Sequence, residues 1–503
     1  MSTTELPAGS RTPRAARQHV YGRMDPSEML LAAARIELIA EGAARPAGAP
    51  VEPHFSSADT PQSAPLAERQ RRSSRVDIAC RVVASVYMAI LVVLVIAYKA
   101  TVFSTLGRDV AFGIYGLISC SYLLSRFFIS LLYRSRPDVG YEPRVAIVMP
   151  GFNEEDAIAR SLRSLLAVDY PPDKLELVAV NDGSTDGTLA EMQAVAAEAG
   201  GRVQVISFVE NQGKRAAMAA GIRATDAEIV AFVDSDSVLE PDALRAIVQP
   251  LADPKIGAVC GHADVLNNDH GWMTKMQAVR YFVAFKVVKA AESVFGAVTC
   301  CSGCFSAYRR AAITSRLDWW EHQTFLGMAA TFGDDRSLTN CVLRDWRVVY
   351  QSNAVSHTIV PDTFKVFMRQ QLRWKRSWTR ETLIVGRFIW RKHPVAAIST
   401  YVGMFLPLIA PVVAVRALLI EPLLGGNGIP VIYPLGIYAM ALVYGLYYVV
   451  RRPSYTARWV YGVVFVGFYL CFLVWQTYWA VLTARTTSWG TRPATAGRVG
   501  AEL

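Results

Sequence analysis

Ile229-Val230-Ala231-Phe232-Val233-Asp234-Ser235-Asp236 is five apolar residues running straight into two carboxylates. A short apolar run rich in branched side chains reads as a buried strand, and polar groups at its carboxyl end stand where open α/β sheets bind ligands. The same pattern recurs upstream: Val145 to Met149 runs into Pro150-Gly151-Phe152-Asn153-Glu154, and Leu175 to Val180 into Asn181-Asp182-Gly183-Ser184. Val203 to Phe208 is a further apolar run, and helical, polar segments lie between the runs. Residues 141–358 are therefore expected to form an α/β domain with a mostly parallel sheet covered on both faces, on which three polar strand ends converge.

The remainder of the 503 residues is unusually apolar: hydrophobic content is 52% and mean hydropathy is positive, which fits a membrane protein carrying a large aqueous domain. The net charge of +10 does not point to nucleic acid, because the arginines crowd beside apolar segments (Arg69, Arg71, Arg72, Arg75; Arg134, Arg136; Arg451, Arg452), where positive charge marks the cytoplasmic side. Eight cysteines in so long a chain are no disulfide framework, so the catalytic domain is expected in the reducing cytosol. Residues 1–78 lack a long apolar core and read as a disordered cytosolic tail.

Two apolar stretches, Val82 to Ala97 and Val110 to Leu132, fall within 79–136 and approach spanning length. Arg126 in the second either snorkels to the interface or faces a polymer channel. Residues 359–392 contain a cationic amphipathic stretch suited to the membrane surface, and 393–484 contain three apolar runs, Ala396 to Ile420, Val431 to Val450 and Val460 to Ala484. Five crossings would put the tail 485–503 outside, whereas Arg485, Arg492 and Arg498 favour the inside, so one run is expected to be re-entrant or interfacial.

A lone Asp-x-Asp is weak evidence, but at a strand end Asp234 and Asp236 suit Mg²⁺ or Mn²⁺ held together with substrate phosphates. Pro150, Asn153, Glu154 and Asp182 are placed to meet a nucleotide, although Asp182 also fits an Asx-turn. Lys214 and Arg215 open a helix after Asn211-Gln212-Gly213 and either face a diphosphate or form an exposed basic helix start. In Gly333-Asp334-Asp335-Arg336, one carboxylate suits a general base, with its neighbour and Arg336 fixing orientation; a helix cap with a surface ion pair is the alternative. Gln370, Arg373 and Trp374 share one helical face, so an indole can stack on a sugar while its neighbours contact hydroxyls or diphosphate; Trp374 alone would suit an interfacial anchor. Cys300-Cys301-Ser302-Gly303-Cys304 reads as an acceptor-side loop, with Ser302 and Gly303 toward the acceptor, rather than as a metal site. Metal, base and cation together meet the needs of transfer from a nucleotide sugar.

From Val82 to Arg492 the chain resembles the membrane-integrated, processive family 2 glycosyltransferases of GT-A fold, and within them the class I hyaluronan synthases. The resemblance rests on Val180-Asn181-Asp182-Gly183-Ser184, Asp234-Ser235-Asp236, Cys301-Ser302-Gly303, Gln323-Thr324-Phe325-Leu326-Gly327, Gly333-Asp334-Asp335-Arg336, Tyr350-Gln351-Ser352, Gln370-Gln371-Leu372-Arg373-Trp374 and Trp489-Gly490-Thr491-Arg492. It implies that Asp182 binds uridine, Asp234 and Asp236 the nucleotide and its Mg²⁺ or Mn²⁺, Lys214 and Arg215 the donor region, and that Asp335 is the general base supported by Asp334. Gln370, Arg373 and Trp374 would form an acceptor and diphosphate collar, and Trp489, Thr491 and Arg492 would close over the nucleotide. The implied partners are UDP-GlcA, UDP-GlcNAc, the growing polysaccharide and the plasma-membrane bilayer. The family usually has proline where Cys304 stands. Nodulation-type chitooligosaccharide synthases share several of these motifs, so a polymer of N-acetylglucosamine alone is the nearest rival. Single-sugar transfer to a lipid phosphate and a non-catalytic sugar-binding scaffold are further ones.

Overall fold

The structure, a computed structural model, describes residues 75–104, 110–424, 429–452 and 457–487. Most of the tail expected over 1–78 lies outside these residues, as do Trp489, Thr491 and Arg492. Residues 75–78 already belong to helix α1 (Arg75–Ser104). No Gly or Pro interrupts this stretch, so nothing local delays helix entry to the apolar run.

The α/β domain is built on an eight-stranded sheet of order β3-β2-β1-β4-β7-β6-β10-β5. Its strands are β1 (Val145–Gly151), β2 (Leu175–Asn181), β3 (Val203–Ser207), β4 (Ile229–Phe232), β5 (Ser237–Leu239), β6 (Ile256–Val265), β7 (Ser306–Arg309) and β10 (Arg347–Thr358), with a separate hairpin of β8 (Thr324–Phe325) and β9 (Met328–Ala329). β3, β2, β1 and β4 pair in parallel, as do β6 and β10. β7 lies antiparallel between β4 and β6, so β6 runs the same way as β4, and only β7 and β5 oppose the rest. The sheet is thus mostly parallel. Its register brings the strand ends together: Gly151 pairs with Asn181, and Val148 with Phe232, two residues before Asp234.

Every residue of β1 is buried, as expected for a strand covered on both faces. Val145, Ile147 and Met149 pack with Ile158, Leu162 and Leu165 of α3 (Ile158–Leu166) and with Met192 and Val195 of α4 (Thr188–Glu198). Val148 faces the other way, onto Ala217, Met218 and Ile222 of α5 (Lys214–Arg223). The apolar positions of α3 recur at i, i+4 and i+7, which makes one stripe, and each such side chain contributes about 1.5–3 kcal/mol on burial. Helix α6 (Ala243–Val248) covers the first face as well, while α7 (Trp272–Val283) and α8 (Asp334–Leu343) lead toward the membrane helices and the site.

Beyond the sheet, α9 (Phe364–Gly386) occupies the expected amphipathic stretch and is followed by α10 (Pro394–Val415), α11 (Ile429–Arg451), α12 (Val460–Phe468) and α13 (Gln476–Leu482). Among the described residues, Gly113–Leu131 in helix α2 (Val110–Leu131) and Pro394–Ile420 are long and apolar enough to cross a membrane. Arg81–Ala97 and Gly436–Arg451 are shorter apolar helices. The last apolar run is broken: Ala457–Leu473 and Gln476–Leu482 meet at 47°, as a broken span or a re-entrant loop. A π-turn at Tyr469–Leu473 precedes the break, with the Val474 amide donating to the Tyr469 carbonyl at 2.8 Å.

Candidate active site

A cavity of about 1040 Å³ opens at the carboxyl ends of β1, β2 and β4 and continues between α2, α7, α9, α10 and α12. Pro150, Glu154, Asp182, Lys214, Asp234, Asp236, Ser302, Gly303, Asp334, Asp335, Arg336, Gln370, Arg373 and Trp374 all line it. At its other end stand residues of the apolar helices, among them Tyr122, Arg126, Thr400, Met404 and Phe465.

Asp182, at the end of β2, is buried and ties down the loop before α5. Its Oδ1 accepts from the Gln212 and Gly213 amides at 2.8 and 3.2 Å, and its Oδ2 from Asn211 Nδ2 at 3.0 Å. The local turn is made by Asn181 instead, whose Oδ1 accepts from the Ser184 amide at 3.2 Å. Asn153 is absent from the cavity wall: it joins two loops, its amide donating to Ser184 Oγ at 3.1 Å and its Oδ1 accepting from the Thr185 amide at 2.9 Å.

Lys214 and Arg215 part company. Lys214 lines the cavity and its ammonium donates to Asp234 Oδ1. Burial works against that charge, but Asp234 and then Asp335 outweigh it and hold the lysine above its ordinary pKa. Arg215 is buried and turned away from the cavity, against the expectation that both face the donor. Consecutive helical residues point about 100° apart, so one meets the cavity while the next meets the core. Arg215 donates to Asp334 Oδ1 at 2.9 Å, to the Trp320 carbonyl at 2.8 Å and to Gln323 Oε1 at 3.0 Å.

The Arg215 bonds belong to a buried network that positions α8. Ser337 Oγ donates to Gln323 Oε1 at 2.7 Å, Gln323 Nε2 to Glu381 Oε1 at 3.3 Å, and Asn340 Nδ2 to Glu381 Oε2 at 3.1 Å. Glu381 also pairs with Arg380 at 2.8 Å on α9. Gly333 closes the join: its φ is +80°, and a Cβ there would stand 1.8 Å from Ser377 Oγ of α9. The orienting cation is therefore Arg215, since Arg336 makes no ion pair with either aspartate among the described residues.

Asp335, in the first turn of α8, points into the cavity where the helix N-terminus favours a carboxylate. Cys300 Sγ lies 4.0 Å from its Oδ2. The 300–304 loop is locked to α8 through Thr339, whose Oγ1 accepts from the Cys301 amide at 2.8 Å and donates to the Asp335 carbonyl at 2.6 Å. On the opposite side Gly303 abuts the metal-type aspartates: a Cβ there would lie 2.8 Å from both Asp234 carboxylate oxygens. Burial, then the adjacent Asp234, pushes Asp236 up to about 6. Among the described residues it accepts from Ser237 Oγ at 3.2 Å and Thr358 Oγ1 at 3.3 Å. Two carboxylates share one ammonium, an excess of negative charge that fits a hard divalent cation completed by phosphate oxygens.

Some wall residues had no place in the sequence reading. Arg280, Lys289 and Glu292 line the cavity, and Glu292 pairs at 3.5 Å with Arg126, which also donates to Tyr122 at 3.4 Å. Arg126 thus faces the cavity, the channel-side alternative. The signal for Arg280 was its position beside buried Met276, Gln277 and Val279, a lone charge on a helix face that packs.

Residues 143–377 match the family described as Glycosyltransferase like family 2. The chain is 34% identical to a hyaluronan synthase of Streptococcus pyogenes over 387 residues, 76% of this chain and 90% of that one. It is 37% identical to an N-acetylglucosaminyltransferase of Azorhizobium caulinodans over 247 residues, 49% of this chain and 62% of that one. In structure it is similar to a mannosyltransferase from Pyrobaculum calidifontis in complex with GDP-Man and Mn²⁺, with a TM-score of 0.50 and 23% identity, covering 71% of this chain and 99% of that one.

Proposed function

The chain belongs to the hyaluronan synthase family of the processive family 2 glycosyltransferases, and from that premise we propose that it builds hyaluronan from UDP-GlcA and UDP-GlcNAc and passes it through its own membrane helices. The observation that supports this most is the continuity of one cavity, from the aspartates at the strand ends to the residues of α10 and α12. A one-step enzyme has no product to conduct into the bilayer.

Asp182 and Glu154 meet the nucleotide, and Lys214 meets its diphosphate. Asp234 and Asp236 would hold Mg²⁺ or Mn²⁺, which would supply charge neutralisation for the leaving diphosphate. Gln370, Arg373 and Trp374 hold the acceptor sugar so that its hydroxyl faces the donor's anomeric carbon, and Asp335 takes the hydroxyl proton. As the acceptor oxygen bonds to that carbon from the face opposite the diphosphate, the carbon–oxygen bond to the diphosphate breaks. UDP leaves with the electron pair, and the configuration inverts to a β linkage. The catalytic domain lies in the cytosol, where UDP-sugars are, and the helices cross the plasma membrane.

The resemblance to N-acetylglucosaminyltransferases supports a second reading, a polymer of N-acetylglucosamine alone. Incorporation by the purified protein in nanodiscs separates the two. High-mass polymer only when both donors are present, and degraded by hyaluronidase, is the expected result; high-mass polymer from UDP-GlcNAc alone would replace it with the second reading.

A further inference from the structure

Arg280 is charged, lines the cavity and has no counter-ion among the described residues. Its guanidinium carbon sits 5.3 Å from the centre of the Trp374 ring and 5.6 Å from that of Phe465, so an aromatic face from α9 and one from α12 flank it. Its Nη1 is shielded from solvent and has no hydrogen-bond partner, and no carboxylate among the described residues pairs with it. Of the other cavity cations, Arg126 is matched by Glu292 and Lys214 by Asp234, whereas Arg280 keeps a shielded, unpaired Nη1 beside two aromatic rings. A shielded donor left unmatched costs free energy, and two π-faces offset only part of the cost of an unmatched charge.

We infer that Arg280 is a specificity residue that binds the carboxylate of a uronic acid in the polymer as it leaves the donor site. The location selects the carboxylate over the donor's diphosphate. The diphosphate already has Lys214 and the Asp234/Asp236 pair at the strand ends, whereas Arg280 stands beside Trp374, the acceptor-stacking indole, and Phe465 of the membrane helices. A planar guanidinium carries its N–H donors in a fork that meets a carboxylate with two parallel hydrogen bonds. The inference rests on the reading that the product contains a uronic acid.

The test uses the full chain in nanodiscs with UDP present, and two probes: a hyaluronan hexasaccharide, and the same hexasaccharide with its carboxyls methyl-esterified. The unaltered protein is expected to bind the acid at least about tenfold more tightly than the ester, in line with one charged hydrogen-bonded contact. Arg280→Gln should abolish that preference, Arg280→Lys should retain part of it, and UDP affinity should stay within about twofold in both. The thermal midpoint of Arg280→Gln should be unchanged or raised, which a structural arginine would not allow. No preference in the unaltered protein, or a preference that survives Arg280→Gln, overturns the inference. So does lost UDP affinity in Arg280→Gln, which would give the guanidinium to the diphosphate. Failure of the underlying reading shows separately, as high-mass polymer made by the unaltered protein from UDP-GlcNAc alone.

Discussion

At Asp234 and Asp236 the cation that steadies the first carboxylate, Lys214, itself faces the cavity; at Asp334 and Asp335 the corresponding cation, Arg215, is sealed in the core. In both pairs the second carboxylate, Asp236 or Asp335, lines the cavity with no ion pair among the described residues, and both pairs draw their cation from the same two residues at the start of α5. The difference is one of mobility of charge. Lys214 lines the cavity with about a quarter of its side chain exposed, so its ammonium is open to a ligand there. Arg215 is bonded to Asp334, Gln323 and the Trp320 carbonyl and has nowhere to go. A donor pocket has to rearrange its charges in every cycle, while a base has to stay where the acceptor hydroxyl arrives.

Removing the fixed side should do the most damage. Asp335→Asn should lower polymerisation by about 10²–10⁴-fold, the usual contribution of a general base, with UDP affinity kept. Undiminished polymer in a radiolabel assay would take the base away from Asp335 and dissolve the contrast between the pairs. Arg215→Met should follow, destabilising the protein by about 3–5 kcal/mol because Asp334 would stay buried and unpaired. Denaturant unfolding checks this, and Arg215→Met combined with Asp334→Leu should recover most of the loss. If Lys214→Met destabilised as much as Arg215→Met, the two cations would not differ as described.

Acid sets the range in which the pairs can be compared. Burial, with help from Lys286, pushes the His262 imidazole down to about 4, below its ordinary value of 6.5. The unfolded chain therefore takes up the proton first, and stability should fall by on the order of 1–3 kcal/mol as pH drops from about 6.5 toward 4. Thermal unfolding across that range tests it, and His262→Asn should flatten the slope. The smallest effect is expected at the exchangeable side. Asp236→Asn should raise the Mg²⁺ needed for half-maximal activity by at least about tenfold, the lower bound for groups that merely orient a ligand. Titration of metal against activity would show it, and an unchanged requirement would remove Asp236 from the metal.

The strand-end side of this cavity was plain in the sequence. Strand ends at Gly151, Asn181 and Val233 are local patterns, and adjacent parallel pairing brings them together without further information. Gln370, Arg373 and Trp374 were legible for the same reason, as three positions on one helix face that all reach the cavity. Insertion of β7 antiparallel between β4 and β6 was not legible, because pairing across 46 to 80 residues leaves no local pattern. Arg215 was misplaced because a basic residue at a helix start reads alike whether it turns outward or inward. Its partners Gln323 and Asp334 lie about a hundred residues away, and only the fold reveals them. Arg280 was missed because a single arginine in an amphipathic helix is ordinarily solvated.

The break in the last apolar segment has a further consequence. Where the π-turn ends, the Leu473 carbonyl accepts from the Lys375 ammonium, which also donates to Thr477 Oγ1 at 3.0 Å on the far side of the bend. Lys375 immediately follows Trp374. One side chain thus bolts both arms of the elbow to α9, so the bend in the last apolar segment and the cavity wall carrying Trp374 are joined through a single ammonium.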